Sequence, residues 1–450
     1  MKSHYIYDKN IVNRVLIVGL GKTGESVYHY LKRFAVGIDI YDINGRKQSS
    51  MAVISNWSDL DLMRYDLIVV SPGIPINQAP YLQLLNDWDK VVCDIDLFYQ
   101  AIKSHSTKLI AITGSNGKST TVTLIHDIIK AEGYKVALVG NIGVPVLSKL
   151  DDDYDFYVLE LSSFQLDLIK MARFGVGCIL NISEDHLDRY EDFNAYRRSK
   201  LSLINRCDRI IVNQKDKIET QMSNGIFFNN ALNFIDEYGN VCIDRERVIN
   251  AGQLKLQGRH NLINIMAVLL IVDYLNLNRS KACAVIANFM SLAHRCELVA
   301  KIDGVFFIND SKATNIGATI AAVEGLGDVK KKNITLLLGG VHKEADFKAL
   351  CPMLNRFVKA VCIYGQDGFK IKQMLQFCFS KLTLHENLNQ AFDAAVVAIS
   401  RGDIVLLAPA CASFDAYSGF VQRGEHFIEL VHQRQEYVDE FDLRKSNENK

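Results

Sequence analysis

The chain has 450 residues, of which 49% are hydrophobic, 23% charged and only 6 are proline, a balance that excludes disordered and repeat proteins and fits an α/β enzyme of about three domains. Its 51 basic and 51 acidic residues cancel, so no overall field draws nucleic acid or an anionic membrane. The polar stretch Met1 to Asn10 is no signal peptide and no apolar run approaches the roughly 18 residues that span a bilayer, so a cytoplasmic protein with small-molecule partners is expected.

The first domain is expected at 1–96. Arg14 to Val18 reads as a buried strand, followed by Gly19-Leu20-Gly21-Lys22-Thr23-Gly24 and a helical stretch, the G-x-G-x-x-G arrangement of strand, tight turn and helix. A second strand, Val36 to Tyr41, ends at Asp42, where an acidic residue would meet a ribose. The leading reading of these residues is a dinucleotide-binding domain, and the alternative is glycines that only pack a helix on a sheet. A third strand, Asp66 to Val70, runs into Ser71-Pro72-Gly73-Ile74-Pro75, an extended turn at the end of a strand where open α/β sheets bind ligands.

The central domain is expected at 97–292. Strand Lys108 to Ile112 leads into Thr113-Gly114-Ser115-Asn116-Gly117-Lys118-Ser119-Thr120 and an amphipathic helix. This is a phosphate cradle: glycines let backbone N–H groups turn to an anion, the helix dipole and Lys118 add positive charge, and Ser119 or Thr120 reaches Mg²⁺. It lacks the first glycine of G-x-x-x-x-G-K-[ST], having Ile112 there. Further strands at Lys135 to Val139, Phe156 to Leu159, Cys178 to Asn181 and Arg209 to Val212 end in Gly140-Asn141-Ile142-Gly143, Glu160-Leu161-Ser162-Ser163 and the run Asn181 to Asp188. In a doubly wound sheet these tips converge beside the phosphate loop. Glu160 is the best Mg²⁺ ligand among them. Taken alone, His186 reads as a surface histidine, Asp185 and Asp188 as solvated acids, and Lys200, in Tyr196-Arg197-Arg198-Ser199-Lys200, as a solvated lysine. Residues 214–258 suit a small β appendage. Asn261 and Asn264 open a long apolar helix, Leu262 to Leu275, where they either cap it or face a base.

The last domain, 293–450, repeats strands at Val305 to Ile308, Ile334 to Leu338, Ala360 to Tyr364 and Asp403 to Ala408. The first, second and fourth end in polar clusters: Asn309 to Asn315, Gly339 to Asp346 with Lys343, and Pro409 to Asp415 with Ser413. A helix from Asp346 presents Phe347, Leu350 and Leu354 to a core. The tail Arg444 to Lys450 is expected to fray. The 10 cysteines, scattered from Cys93 to Cys411 without a C-x-x-C pair, argue against a zinc site and against disulfides, and most are expected to be small buried apolar residues.

The shortened loop T-G-S-N-G-K-S, with S-P-G-I-P at Ser71 to Pro75, E-L-S-S-F-Q-L at Glu160 to Leu166, E-D-H-L-D-R-Y at Glu184 to Tyr190 and N-D-S-K-A-T-N at Asn309 to Asn315, resembles the Mur ligases of bacterial peptidoglycan synthesis through all three domains. Sister members and folylpolyglutamate synthases differ where this chain has N-D-S-K-A-T-N. The resemblance implies three α/β domains: a Rossmann-like N-terminal domain, a central P-loop ATPase-like parallel sheet with the β appendage, and a C-terminal Rossmann-like domain. It implies ATP-dependent addition of D-glutamate to UDP-N-acetylmuramoyl-L-alanine through an acyl phosphate, by a monomer. The remaining alternatives are a ligase for another amino acid and a nicotinamide- or nucleotide-sensing protein.

By the same resemblance, Gly114 to Thr120 would hold ATP phosphates, with Asn264, Arg295, Asp310 and Lys312 around the rest of the nucleotide. Ser119, Glu160, His186 and a carbamylated Lys200 would serve two Mg²⁺ ions, and Lys118, His186 and Lys200 would act in catalysis. Leu20, Thr23, Asp42, Ser71 and Asn141 would meet the uridine precursor, and Thr314, Lys343, Ser413 and Phe420 would meet D-glutamate. The chain departs from the family at Asn44, where the related enzyme has Arg.

Overall fold

A computed structural model describes residues 3–45, 53–150, 152–187, 189–216, 222–256, 258–328, 330–342, 346–397 and 399–448, with side chains to Gln435. Asp188 and Lys343 lie outside the described residues. Three parallel-sheet units follow one another along the chain. The first sheet has the order Val53–Ile54, Gly37–Tyr41, Arg14–Val18, Leu67–Val70, Val91–Val92, all parallel. Arg14–Val18 is its switch point, with neighbours on both sides from later in the chain, so the glycine turn after it opens into the crevice. Gly24 must be glycine, because a Cβ there would stand 2.0 Å from the Gly19 carbonyl oxygen, where helix Lys22–Leu31 lies close on the turn. Near the N-terminus Tyr5–Tyr7 pairs with Asn10–Val12, and the Tyr5 ring packs on Phe34 at 4.9 Å.

The central sheet has six parallel strands in the order Gly225–Phe228, Cys207–Asn213, Phe174–Ile179, Lys108–Thr113, Phe156–Glu160, Val136–Gly140. The phosphate loop leaves its middle strand. The expected appendage is divided, since Gly225–Phe228 joins this sheet and only Phe234–Ile235, Asn240–Ile243 and Glu246–Asn250 form a separate antiparallel sheet. In the last unit an antiparallel strand, Glu297–Ile302, edges the order Val305–Asn309, Ile404–Leu407, Ile334–Gly339, Val358–Tyr364, Leu382–Leu384. The helix expected from Asp346 is a 3₁₀ turn, Phe347–Leu350, followed by Cys351–Phe357, with Pro352 at the start of the α-helix. The backbone of the tail is helical as far as Glu448, in the helix Phe420–Glu448, and Asn449 and Lys450 lie outside the described residues.

One cysteine expectation fails. Cys351, opening a helix, and Cys378, just beyond helix Gly368–Leu375, form a disulfide with Cα atoms 5.8 Å apart. Their separation of 27 residues gave no sign of it, because packing of the two helices, not spacing, brings them together. Among the free thiols, Cys93, Cys178, Cys242, Cys362 and Cys411 are buried, as expected of small apolar residues. No helix among the described residues is long and apolar enough to cross a membrane.

The two joints between units differ in kind. A single apolar core runs from Tyr5 and Val15 in the first unit to Tyr157, Leu166 and Val212 in the second, with the turn Val146–Lys149 wedged against helices Lys22–Leu31 and Asp94–Ile102. The two cores of the last unit contain no buried residue before Ile302. Its hydrogen bonds to the central unit include His260 Nδ1 donating to the Ala321 carbonyl at 3.1 Å. Burial pushes the His260 imidazole down to about 4. A neutral buried histidine favours folding in full above the unfolded value near 6.5, and this is lost as pH falls toward 4, because the unfolded chain then binds the extra proton. Between pH 7 and 4.5, His260→Gln should therefore lose less thermal stability than the parent, by up to about 3 kcal/mol. Parallel melting curves from calorimetry or circular dichroism would show the penalty to lie elsewhere.

Candidate active site

The phosphate loop is held from beneath by side chains of the neighbouring strand tip. Asn181 accepts from the Asn116 backbone N–H at 2.9 Å and donates to the Asn116 carbonyl at 3.0 Å, while Ser115 Oγ is held by the Ser183 backbone and the Tyr196 hydroxyl at 2.9 Å. Gly117 sits at φ +85°, and a Cβ there would lie 2.6 Å from Asn264 Oδ1. Left-handed backbone and close approach both demand glycine. Lys118 Nζ donates to the carbonyls of Gly114 at 2.6 Å and Ser115 at 2.9 Å.

In the first turn of helix Lys118–Ala131, Ser119 Oγ donates to Glu160 Oε2 at 2.6 Å and accepts from Arg295 Nη2 at 2.5 Å. The other Glu160 oxygen accepts from Asn141 Nδ2 at 2.7 Å. Glu160 at the end of its strand thus ties the loop to a neighbouring strand tip, and Ser119 ties it to the last unit. Hydroxyl and carboxylate oxygens placed together suit Mg²⁺, a hard ion that keeps waters and completes its shell on phosphate. Among the described residues no group of three or more His, Cys, Asp or Glu gathers in the manner of a protein-only metal cage.

Lys200 is 2% exposed, contrary to a solvated lysine, with Nζ donating to the Gly114 carbonyl at 3.0 Å over the Tyr196 ring. Burial, then the nearby Lys118 charge, hold its amine well below the ordinary lysine range. His186 has φ +56°, uncommon for a residue with a side chain, a strain of about 1–3 kcal/mol of the kind concentrated at functional sites. Its ring lies 4.8 Å from that of Phe164, with Asp185 Oδ2 3.6 Å from Nε2. Asn315 Nδ2 reaches from the last unit to Asp185 Oδ2 at 2.9 Å and Asn116 Oδ1 at 3.3 Å, while its Oδ1 caps helix Ile316–Leu326 through Ala318 N–H.

These residues line a pocket of about 240 Å³ whose lysines and arginine, Lys118, Lys200, Arg295 and Lys312, outnumber the carboxylates Glu160 and Asp185. Thr314 also lines it. Beside it, Asn116, Gly117, Thr120, Asn264, Arg295, Asp310 and Lys312 surround a narrower cavity of about 70 Å³. Burial raises the Asp310 carboxyl to about 6 against the pull of Arg295. On the other side a cleft of about 970 Å³ is lined by Thr23, Asp42, Asn44 and Ser71 of the first unit and by Asn141 and Gln165 of the second. Asn141 belongs to the lining of both the cleft and the phosphate-loop pocket, so the two adjoin across it.

Two placements modify the sequence reading. Leu20 is a core residue, 1% exposed and absent from the cleft lining. Both Asp42 oxygens accept backbone N–H groups, of Leu20 at 2.8 Å and Asn44 at 2.9 Å, so this carboxylate shapes the glycine turn. Ser413, buried, and Phe420, with Lys312 Nζ 4.1 Å from its ring centroid, stand outside the lining of the 240 Å³ pocket. Asn181, Asn315 and Tyr196 were not selected from sequence as site residues. Each sits inside or beside a quoted motif, and only the distances separate them from neighbouring polar residues. Arg423, fully buried, likewise gave no signal; it donates to Ser311 Oγ, the Ser311 carbonyl and the Ala412 carbonyl, joining two strand-end loops.

Family models match in three consecutive stretches: a Mur ligase MurD-like N-terminal domain over residues 13–92, the Mur ligase middle domain over 112–272, and a Mur ligase glutamate ligase domain over 294–411. The UDP-N-acetylmuramoylalanine–D-glutamate ligase of Francisella tularensis subsp. novicida (strain U112) is 44% identical over 439 residues, covering 95% of this chain and 98% of that protein. The enzyme of the same name from F. tularensis subsp. tularensis (strain WY96-3418) is 44% identical over 438 residues, with the same coverage. Solved structures of the same fold include the UDP-N-acetylmuramate-alanine ligase MurC of Thermotoga maritima, with TM-score 0.61, 14% identity, and coverage of 94% of this chain and 100% of that one. MurF ligase of T. maritima, in complex with ADP, has TM-score 0.60 and 16% identity, with coverage of 96% and 98%.

Proposed function

We propose that this chain, which belongs to the Mur ligase family, uses ATP to join D-glutamate to UDP-N-acetylmuramoyl-L-alanine, releasing ADP and phosphate. The observation that carries the reading is Asn141, shared by the large cleft and the phosphate-loop pocket and bonded to Glu160. A long nucleotide-sugar seated in the first unit would extend past Asn141 and present its terminal carboxylate to the phosphate loop.

A carboxylate is a poor electrophile, so the L-alanine carboxylate first takes the γ-phosphoryl group of ATP. The amine of D-glutamate then attacks the acyl phosphate, the C–N bond forms, and phosphate leaves. In this reading Gly114 to Thr120 hold the phosphates, and Lys118 turns from the loop carbonyls to the phosphoryl oxygens. Asn264, Arg295, Asp310 and Lys312 surround the adenosine side. Ser119, Glu160, His186 and Lys200, the last as a carbamate, would hold two Mg²⁺ ions, and those ions would supply positive charge for the transferring phosphoryl group. Thr23, Asp42, Ser71 and Asn141 belong to the precursor site, with Asp42 acting through the turn it shapes. Thr314, Lys343, Ser413 and Phe420 receive D-glutamate. We assign residues 1–96 to the uridine substrate, 97–292 to ATP and 293–450 to the amino acid, in a cytoplasmic monomer.

The nucleotide cavity of about 70 Å³ is far below the 300 Å³ or so of an ordinary ligand pocket, and both of its flanking units supply walls. Entry of ATP therefore requires the last unit to swing out, and closure brings amine and acyl phosphate together while excluding water. Asn315 is placed to complete that closure. Serine keeps the helix cap but cannot span to Asp185 and Asn116, so Asn315→Ser should lower kcat by about 5- to 30-fold with stability changed by less than about 1 kcal/mol. Steady-state rates beside melting curves test this, and a loss of stability with unchanged kcat would leave Asn315 a cap alone.

Phosphate release from ATP is expected only with both UDP-N-acetylmuramoyl-L-alanine and D-glutamate present. Equal rates with L-lysine, diaminopimelate or L-glutamate would overturn the D-glutamate assignment. Tight NADH binding in an absorbance titration would contradict the uridine reading of the first glycine turn.

A further inference from the structure

Behind the catalytic pocket, on the far side of the turn Ser71 to Pro75 from the substrate cleft, lies a second opening of about 480 Å³. Its size falls within the range of small-molecule sites. The first unit contributes Pro72, Ile74 and Ile76, and the central unit contributes Phe164, Leu166 and Leu168, so much of its wall is apolar. Its charged groups are one-sided: three arginines stand against a single carboxylate, Asp167, which accepts from the Tyr190 hydroxyl at 2.6 Å; Arg206 gives its terminal nitrogens to the Ile169 and Lys170 carbonyls, Arg189 gives one to the Gly73 carbonyl, and Arg198 lies exposed at the rim. Two buried polar atoms of its lining residues, Ser202 Oγ and Arg206 Nε, have no hydrogen-bond partner among the described residues. Both are donors or able to donate, so what would satisfy them is an acceptor. None of the steps above uses this opening.

We propose that this cleft is a second ligand site, taking an organic anion with a compact apolar body and a phosphate, sulfonate or carboxylate head, and that its occupancy alters affinity for the nucleotide precursor. The head would meet Arg198 at the exposed rim, above the buried Ser202 hydroxyl, and the body would lie between the proline-rich turn and Phe164. Coupling follows from shared walls. Pro72 and Ile74 also line the precursor cleft, and Asn77 Nδ2 to the Arg189 carbonyl at 3.0 Å, with Arg189 Nη1 to the Gly73 carbonyl at 3.2 Å, bridges the two units at its rim. On the inner side Phe164 is the ring packed against His186. A ligand that fits between these walls better in one arrangement of the first unit than another must change precursor binding, and the precursor must change its binding equally.

The coupling half rests on the reading of the 970 Å³ cleft as the precursor site; the binding half does not. The test titrates 1-naphthyl phosphate into the full chain by calorimetry, with ADP and UDP saturating so that nucleotide sites are filled. Binding below about 1 mM is expected, with inorganic phosphate and 1-naphthol each at least about 10-fold weaker. Arg198→Glu, on the exposed rim, and Ser202→Leu, which fills the floor, should each weaken it by about 10-fold or more while basal ligase turnover is unchanged. No binding under saturation, or binding equal in both variants, overturns the site. With the site in hand, the apparent affinity for the precursor should shift by about 5-fold or more on adding the probe, and should not shift in Arg198→Glu. Probe binding that leaves precursor affinity unchanged overturns the coupling. Probe binding in a protein that lacks ligase activity keeps the site and refutes the functional reading instead.

Discussion

Lys200→Ala is expected to lower turnover by at least about 10²-fold while the protein stays folded. The amine lies buried over Tyr196 with Gly114 as its acceptor, and its surroundings favour the neutral form. A neutral amine is the form that attacks CO₂, losing a proton and becoming an anion with oxygen ligands where a cation stood. Alanine removes those oxygens. The Gly114 carbonyl keeps its bond from Lys118 at 2.6 Å, so no acceptor is left unpaired, and melting curves will register any change in stability separately. Chloride or a short carboxylate should restore part of the rate by entering the space, and CO₂-depleted buffer should slow the parent enzyme. Unchanged kcat in the variant would remove Lys200 from the metal site.

Lys118→Ala should cost about 10²–10³ in kcat, the usual loss when one preorganised charge on a transferring group is deleted. Stability should hardly move, since the ammonium bonds carbonyls of its own loop, Gly114 and Ser115. Arginine should not rescue it, because a planar fork cannot take the place of a point charge in so tight a turn. Phosphate-release rates for the three proteins, with melting curves beside them, decide the matter. A Lys118→Ala protein that turned over like the parent would place the phosphate contact on the backbone alone.

The three α/β units were readable because apolar strands alternate with helical runs and end in polar tips, and the phosphate loop because its geometry demands its residue types. Short or edge strands such as Val53–Ile54, Glu297–Ile302 and Leu382–Leu384 escaped notice, since two to six residues at an edge bury little and carry weak patterning. Lys200 was selected by resemblance alone: its helix, Phe193–Leu201, is polar on average, and nothing local distinguishes a buried lysine from a solvated one. Asn315, Asn181 and Arg423 depend on contacts 65 to 199 residues apart in sequence, which no local pattern encodes. The disulfide between Cys351 and Cys378 escaped for the same reason.

The two joints also differ in their thermodynamic signature. Between the first and second units the interface is continuous apolar core, whereas the last unit meets the second through His260 to Ala321, Arg295 to Ser119, and Asn315 to Asp185 and Asn116. Among the described residues no apolar core crosses the second joint, so separating it changes heat capacity less than separating a continuous apolar seam. Swinging the last unit outward should therefore carry an enthalpy that varies less with temperature, leaving its equilibrium to be set by bound nucleotide and charge. Detaching the first unit would have a curved free energy, with the apolar seam weakening on cooling. The chain would thus work as a rigid pair with one movable partner, whose resting position responds to ligands more than to temperature.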